Sequence, residues 1–219
     1  MARGMQAERA RLVQDALMAR DIADQRVLAA VNDVPREAFV APELAEFAYQ
    51  DRALPIGLGQ TISQPYIVAL MAQALELGPD ARVLEIGTGS GYGAAILSRL
   101  AAEVFTVERH AELALLAHDR LAELGYGNVV VRHGDGGSGW ASHAPYDGIL
   151  VTATTPEIPA AIRDQMSLGG HLIVPVGDQT GPQQLLKLTR MSPDEFDRTS
   201  LGSVRFVPLR PGRAGDPRL

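Results

Sequence analysis

Three acids and a run of glycines are the residues of this chain best placed to do chemistry. Val83-Leu84-Glu85-Ile86 leads into Gly87-Thr88-Gly89-Ser90-Gly91, with a glycine at every second position. An aliphatic run, a glycine turn and a helical segment from Tyr92 to Ala101 bring backbone N–H groups against a nucleotide-like ligand in α/β proteins. A dinucleotide fingerprint, G-x-G-x-x-G, wants its third glycine at position 92, which is tyrosine. Glu108 stands 21 positions after Gly87, close to the offset of about 20 at which an acid accepts both hydroxyls of a ribose. Gly134-Asp135-Gly136 offers a third acid, able to accept from an adenine amino group while the backbone meets the ring edge. Each feature alone has a plainer reading. Glycines serve turns that need φ > 0, an acid can open a solvated helix, and Asp-Gly is a common turn. Three of them, each at the same end of its strand, favour a ligand site.

The elements that must position these residues follow from the hydrophobic pattern. Strands are expected at 82–87, 103–108, 129–133, 147–152 and 170–176, and helices at 91–101, 110–124 and 157–166. The strand runs are nearly continuous in Val, Ile and Leu, as parallel strands buried on both faces require. The alternation predicts an α/β fold with a doubly wound, mostly parallel, Rossmann-like sheet. Leu185–Met191 and Val204–Leu209 read as two strands with no helix between them, hence an antiparallel edge. Upstream, 7–20 and 24–33 have helical apolar spacing (Leu12, Ala16, Leu17; Val27, Leu28, Val31). Residues 51–63 read as a glycine-bearing loop, and a helix follows from about Gln64 to Leu75, with Ser63 as N-cap and Pro65 in its first turn. The expected division is a helical segment with a loop over 1–78, a ligand-binding core over 79–210 and a flexible tail over 211–219.

Composition narrows the function classes. The chain has 219 residues, 46% hydrophobic and 21% charged, with a net charge of −6. A mildly acidic chain without a Lys/Arg block is not expected to bind nucleic acid. No apolar run reaches the length of a membrane span, and Met1 to Gln14 lacks the apolar core of a secretory signal. The absence of cysteine removes disulfides, a thiolate nucleophile and Cys-type zinc sites. Histidines 110, 118, 133, 143 and 171 show no metal-ligand spacing, so no metal is expected. A cytoplasmic monomer is the expectation.

The string G-x-G-x-G with Glu85 two residues ahead of it resembles motif I of the class I S-adenosylmethionine methyltransferases. No Lys or Arg lies in 85–93, so nothing there suits a phosphate, whereas close backbone approach suits a methionine moiety and its sulfonium. Further segments are more specific: Ile56-Gly57-Leu58-Gly59-Gln60-Thr61-Ile62-Ser63-Gln64-Pro65-Tyr66, Gly134-Asp135-Gly136 with Gly139-Trp140, Leu172 to Gly177, and Val204-Arg205-Phe206-Val207-Pro208-Leu209. With these, the chain resembles the protein-L-isoaspartate (D-aspartate) O-methyltransferases from about residue 8 to 210.

The resemblance implies methyl transfer from S-adenosylmethionine to the free α-carboxylate of an isoaspartyl residue in damaged proteins and peptides, with S-adenosylhomocysteine as product. It assigns the cofactor to Glu85, Gly87, Thr88, Gly89, Ser90, Gly91, Glu108, Arg109, Asp135 and Gly136. It assigns the substrate to Thr61, Ile62, Ser63 and Gln64 and to Val204, Arg205, Phe206 and Val207, with the Ser63 hydroxyl on the carboxylate. A carboxylate is already a nucleophile at neutral pH, so no general base is required. Departures are Gly137-Ser138 where an aromatic is usual, which predicts a looser loop beneath the adenine, Thr152 to Pro156 in place of an alanine-rich run, and Gly93 in place of a longer polar side chain. The alternatives are an O-methyltransferase acting on aspartate of a dedicated biosynthetic peptide, an NAD-dependent oxidoreductase, and an idle module that only binds the cofactor.

Overall fold

The computed structural model describes residues 2–212. The chain opens with helix α1 (Ala2–Leu12), which widens to π geometry through Met18, and α2 (Gln25–Asp33). The Asp24 carboxylate caps α2 by accepting from the Arg26 and Val27 N–H groups. Two short strands, β1 (Leu54–Gly57) and β2 (Gln60–Ile62), precede α3 (Pro65–Ala74). The αβ series then runs β3 (Arg82–Ile86), α4 (Tyr92–Ser98), β4 (Glu103–Glu108), α5 (Ala111–Glu123), β5 (Val129–His133), β6 (Tyr146–Val151), α6 (Ala160–Arg163), β7 (Met166–Val176), β8 (Gln183–Arg190) and β9 (Phe196–Val204).

Seven strands form one sheet in the order β5-β4-β3-β6-β7-β8-β9. The pairs from β5 to β7 are parallel, and β7-β8-β9 are antiparallel. From β3 the chain steps outward to β4 and β5, then returns to the other side of β3 for β6. That reversal opens a crevice beyond the carboxyl ends of β3 and β6, where ligands bind in doubly wound sheets. Alternate side chains of the strands feed two cores. Leu84, Ile86, Phe105, Val107, Ile149 and Val151 enter one. Val83, Val104, Leu150 and Ile173 enter the other, together with Leu17, Val27, Leu28 and Val31 of the N-terminal helices and Met71 of α3.

Three sequence expectations need correction. Residues 54–62 are not an open loop but an antiparallel hairpin, turned by Gly57, Leu58 and Gly59, all at positive φ. The helix expected over 157–166 is a single turn, Ala160–Arg163, and β7 begins already at Met166. Pro156 and Pro159 confine it from the front. Behind it, the Gln165 carbonyl accepts from the Tyr146 N–H and so belongs to the sheet. The last strand is Phe196–Val204 rather than 204–209; the segment after it is bridged to Thr154 at Pro208 and reaches β8 through the Phe206 N–H, which donates to Gln183. Its polar run Asp197-Arg198-Thr199-Ser200 is exposed at the sheet edge, as edges that avoid pairing with other chains are built. Of the flexible tail expected over 211–219, residues 213–219 lie outside the described residues. Gly212 is tied down, its N–H donating to Asp135 Oδ2 at 2.8 Å.

The irregular start of the β6–β7 pairing is close-packed against backbone. A Cβ at Gly170 would stand 3.0–3.1 Å from the carbonyl oxygens of Asp147, Ser167 and Tyr146, none of which can swing aside. At Gly181 a Cβ meets nothing within 4 Å. Gly170→Ala is therefore expected to lower stability by about 1–3 kcal/mol, and Gly181→Ala to leave it unchanged within about 0.5 kcal/mol. Urea denaturation of the two variants checks this, and equal midpoints would contradict it.

Candidate active site

The turn after β3 has three positions whose backbone conformation favours glycine. Gly87, Gly89 and Gly91 have φ of 96°, 54° and 91°, a region costly for residues with a Cβ. A Cβ on Gly87 would clash with Thr152 Oγ1. That hydroxyl, at the end of β6, donates to the carbonyls of Ile86 (3.0 Å) and Gly87 (2.8 Å). Gly91 opens α4 in the left-handed conformation and packs on Leu121 of α5. Arg120 reaches across to donate to the Ser90 carbonyl at 2.7 Å.

Glu108, at the end of β4, is nearly buried. Its Oε2 accepts from the Gly89 N–H at 3.0 Å and its Oε1 from the His110 N–H at 2.9 Å. Both oxygens are thus oriented, and each keeps a further lone pair for a ligand. Glu85 lies one strand over and is 1% exposed. Thr106 donates to its Oε2 at 2.7 Å, and Thr106 and Thr88 share a bond of 2.6 Å. Since Thr106 spends its one proton on Glu85, Thr88 is the donor in the second bond. The space a side chain at 93 would take is filled by the Glu85 carboxyl, which accounts for Gly93.

One cleft joins these groups to the hairpin. Thr61, Ile62 and Ser63 line it from β2 and beyond, Glu85 to Ser90 and Glu108 to His110 from the strand ends, and Val207 to Arg210 from the C-terminal arm. Of the residues singled out in the sequence, Thr61, Ile62, Ser63, Glu85, Gly87, Thr88, Gly89, Ser90, Glu108, Arg109, Gly136 and Val207 line it. Among the described residues, the Nε of Arg109 is buried without a hydrogen-bond partner. Gly136 is pressed onto Ile86, where a Cβ would clash with Cγ2.

The other singled-out residues do not line the cleft. The Gln64 side chain donates to Asp51 at 2.8 Å instead of facing the cleft. Gln64, not Ser63, is the N-cap of α3, and among the described residues the Ser63 hydroxyl makes no hydrogen bond. Both Asp135 oxygens accept backbone N–H groups, from Gly137 and Gly212, each at 2.8 Å. Gly91 is a cap. Val204 is in the core, Arg205 is exposed, and the Phe206 N–H donates to Gln183.

The loop over 136–140 is not loose. Gln165 donates to the Ser138 carbonyl at 2.9 Å and accepts from the Trp140 N–H at 2.8 Å, while Arg132 donates to the Gly139 carbonyl at 2.7 Å. Sequence reasoning missed Val68 and Met71, spaced i, i+3 on α3 toward the cleft, and also His110, Leu209 and Arg210. Among the described residues no cluster of His, Cys, Asp or Glu suits a metal ion, and no helix is long and apolar enough to cross a membrane.

Burial pushes the Glu85 carboxyl up to about 8 from its ordinary 4.5. Desolvation is the main cause and the charge of Glu108 adds to it, while the bond from Thr106 opposes. The folded value lies above the unfolded one, so between about pH 4.5 and 8 the folded state holds a proton that the unfolded state has released. Stability therefore falls as pH rises through that window. Glu85→Gln, neutral and of similar shape, is expected to match the wild type near pH 5 and to exceed it by a few kcal/mol (order of magnitude) near pH 8. Thermal denaturation across that range checks this. Parallel pH profiles for the two proteins would refute a buried, proton-holding Glu85.

Comparison with known proteins agrees with this geometry. The family model for protein-L-isoaspartate(D-aspartate) O-methyltransferase matches residues 7–214. A protein-L-isoaspartate O-methyltransferase 1 of Geotalea uraniireducens is 56% identical over 193 residues, 88% of each chain. A protein-L-isoaspartate O-methyltransferase of Protochlamydia amoebophila is 52% identical over 198 residues, 90% of this chain and 94% of that one. Among solved structures, a protein-L-isoaspartate O-methyltransferase superposes with a TM-score of 0.82 at 28% identity, over 93% of this chain and 65% of that longer one. A Plasmodium falciparum protein solved with S-adenosyl-L-homocysteine shares the fold, with a TM-score of 0.79 at 24% identity, over 92% of this chain and 98% of that one. The chain belongs to the protein-L-isoaspartate(D-aspartate) O-methyltransferase family.

Proposed function

We propose that the cleft transfers a methyl group from S-adenosylmethionine to the α-carboxylate of L-isoaspartyl residues in damaged proteins and peptides. One observation carries this reading: the glycine turn, the Glu108 carboxylate and the Thr61–Ser63 segment share one cleft. The residues present fit the cofactor. Glu108 offers two oriented oxygens of the kind that accept ribose hydroxyls, and no cation lies in 85–93 to call for a phosphate. When bound, S-adenosylmethionine supplies a methyl group on a positively charged sulfur.

The chain's own part is binding and alignment. The accepting carboxylate is ionised at neutral pH, so no side chain has to remove a proton. Ser63, at the mouth of α3 with an uncommitted hydroxyl, donates to one carboxylate oxygen and aims the other. Fixing two reactants in line supplies up to roughly 7–11 kcal/mol. Thr61 and Ile62 on the hairpin and Val207 on the C-terminal arm bound the substrate end. Glu85, Gly87, Thr88, Ser90 and Gly136 bound the cofactor end. The near full-length match to repair-type relatives supports this reading over a dedicated peptide substrate.

The wild type is expected to methylate an isoaspartyl peptide and largely ignore its aspartyl twin, measured with labelled S-adenosylmethionine. Equal labelling of both, or of neither, would overturn the repair reading. Ser63→Ala should lower turnover by one to two orders of magnitude, as losing a hydrogen bond of ~1.5–3 kcal/mol to a charged group implies. S-adenosylhomocysteine affinity should stay within about twofold, corresponding to less than ~0.5 kcal/mol. Glu108→Gln should do the converse, weakening S-adenosylhomocysteine by about ten- to a hundredfold in calorimetry. Unchanged affinity in that variant would sink the ribose role of Glu108.

A further inference from the structure

Arg36 is fully buried, yet no acid forms an ion pair with it among the described residues. Its guanidinium instead holds three backbone carbonyls. Nε donates to Ala48 at 2.8 Å, Nη1 to Ser63 at 3.1 Å and Nη2 to Arg52 at 3.1 Å. The nearby Asp51 carboxylate is committed to the Tyr66 N–H at 2.9 Å and the Gln64 side chain at 2.8 Å. The guanidinium also lies 5.3 Å from the ring centre of Tyr92, which lines the cleft. Desolvation lowers the affinity of this side chain for its proton, with Tyr92 and Asp51 opposing. A buried cation is an expensive group unless its donors are all well placed.

Its three acceptors explain why it is there. Ala48 and Arg52 precede the hairpin, and Ser63 follows it. One rigid fork therefore clamps both ends of the segment that carries Thr61, Ile62 and Ser63. The bond to the Ser63 carbonyl fixes the peptide plane from which the Ser63 side chain projects. A lysine, a point charge on a flexible stem, cannot span three carbonyls in this way.

We propose that Arg36 is a positioning residue for methyl acceptance: it sets the stance of the Ser63 hydroxyl by clamping the carbonyls of Ala48, Arg52 and Ser63. This rests on the reading of the hairpin and Ser63 as the substrate end of the cleft. It assigns Arg36 no contact with substrate or cofactor.

The test compares wild type, Arg36→Lys, Arg36→Ala, Ser63→Ala and the Arg36→Lys/Ser63→Ala pair. Arg36→Lys should lower kcat/KM for an isoaspartyl peptide ten- to a hundredfold, with a raised peptide KM and an S-adenosylhomocysteine affinity within twofold of wild type. Adding Ser63→Ala to Arg36→Lys should cost little more, because residues that act as one unit are non-additive. Millimolar guanidinium should partly restore Arg36→Ala and leave Arg36→Lys unchanged.

A second measurement needs no turnover. In the S-adenosylhomocysteine complex, amides over 54–63 should exchange hydrogen at least tenfold faster in Arg36→Lys than in wild type, while those of β3 and β6 stay protected. Equal exchange over 54–63 overturns the inference. So does multiplication of the two single effects, or a loss of S-adenosylhomocysteine binding in step with activity, which would make Arg36 a support of the whole fold. If Ser63→Ala alone keeps wild-type turnover, the substrate-end reading of Ser63 fails, and the exchange result still reports on the clamp.

Discussion

A glycine-rich turn must have most of its backbone polar groups met from outside, and the cleft is organised around that need. The turn over residues 87–91 has little structure of its own to satisfy them. Thr152 from β6 takes the carbonyls of Ile86 and Gly87, Glu108 from β4 takes the N–H of Gly89, and Arg120 from α5 takes the carbonyl of Ser90. Three elements separated widely in sequence are thereby locked to one five-residue turn. The orientation of Glu108 is a by-product of the same arrangement, because the bond that holds Gly89 also aims the carboxylate along the cleft.

Two buried ionisable groups stand near this turn, and neither forms an ion pair among the described residues. Arg36 is met by carbonyl dipoles, which let it keep its charge. Glu85 is met by one hydroxyl and by the repulsion of Glu108, and the outcome is a carboxyl that holds its proton at neutral pH. The difference lies in the number and kind of partners. Three acceptors aligned on a planar cation satisfy it; a single donor does not offset the desolvation of an anion.

Much of this was legible in the sequence, and the exceptions share a cause. The sheet, the glycine turn and Glu108 follow from periodicity and spacing, which are local signals. Gln64 was placed in the site by its neighbours in sequence, but its side chain is claimed by Asp51, a partner that only the fold brings near; Asp135 carries one backbone N–H on each oxygen, as Glu108 does, but does not line the cleft. Arg36 was missed for the same reason, since nothing near it in sequence marks it as buried. Ile158, Ile162 and Met166 have helical spacing, yet the helix stops at Arg163 because Gln165 serves the sheet and the 136–140 loop. The final strand was shifted because its exposed edge is polar, while the apolar run after it lines a cleft and so imitates a strand.

The hairpin and the glycine turn meet closely at one point. The Cβ that Gly89 lacks would stand 3.2 Å from Cδ1 of Ile56, so a single methyl group of the hairpin rests against the turn that Glu108 holds. Heritable variation at either position is then pleiotropic. A larger side chain at 56 presses on the turn, and any side chain at 89 presses on the hairpin, so a change at either position reaches both elements. Substitutions that leave both elements in place are then expected at cleft positions outside this contact, such as the exposed Arg210 on the C-terminal arm.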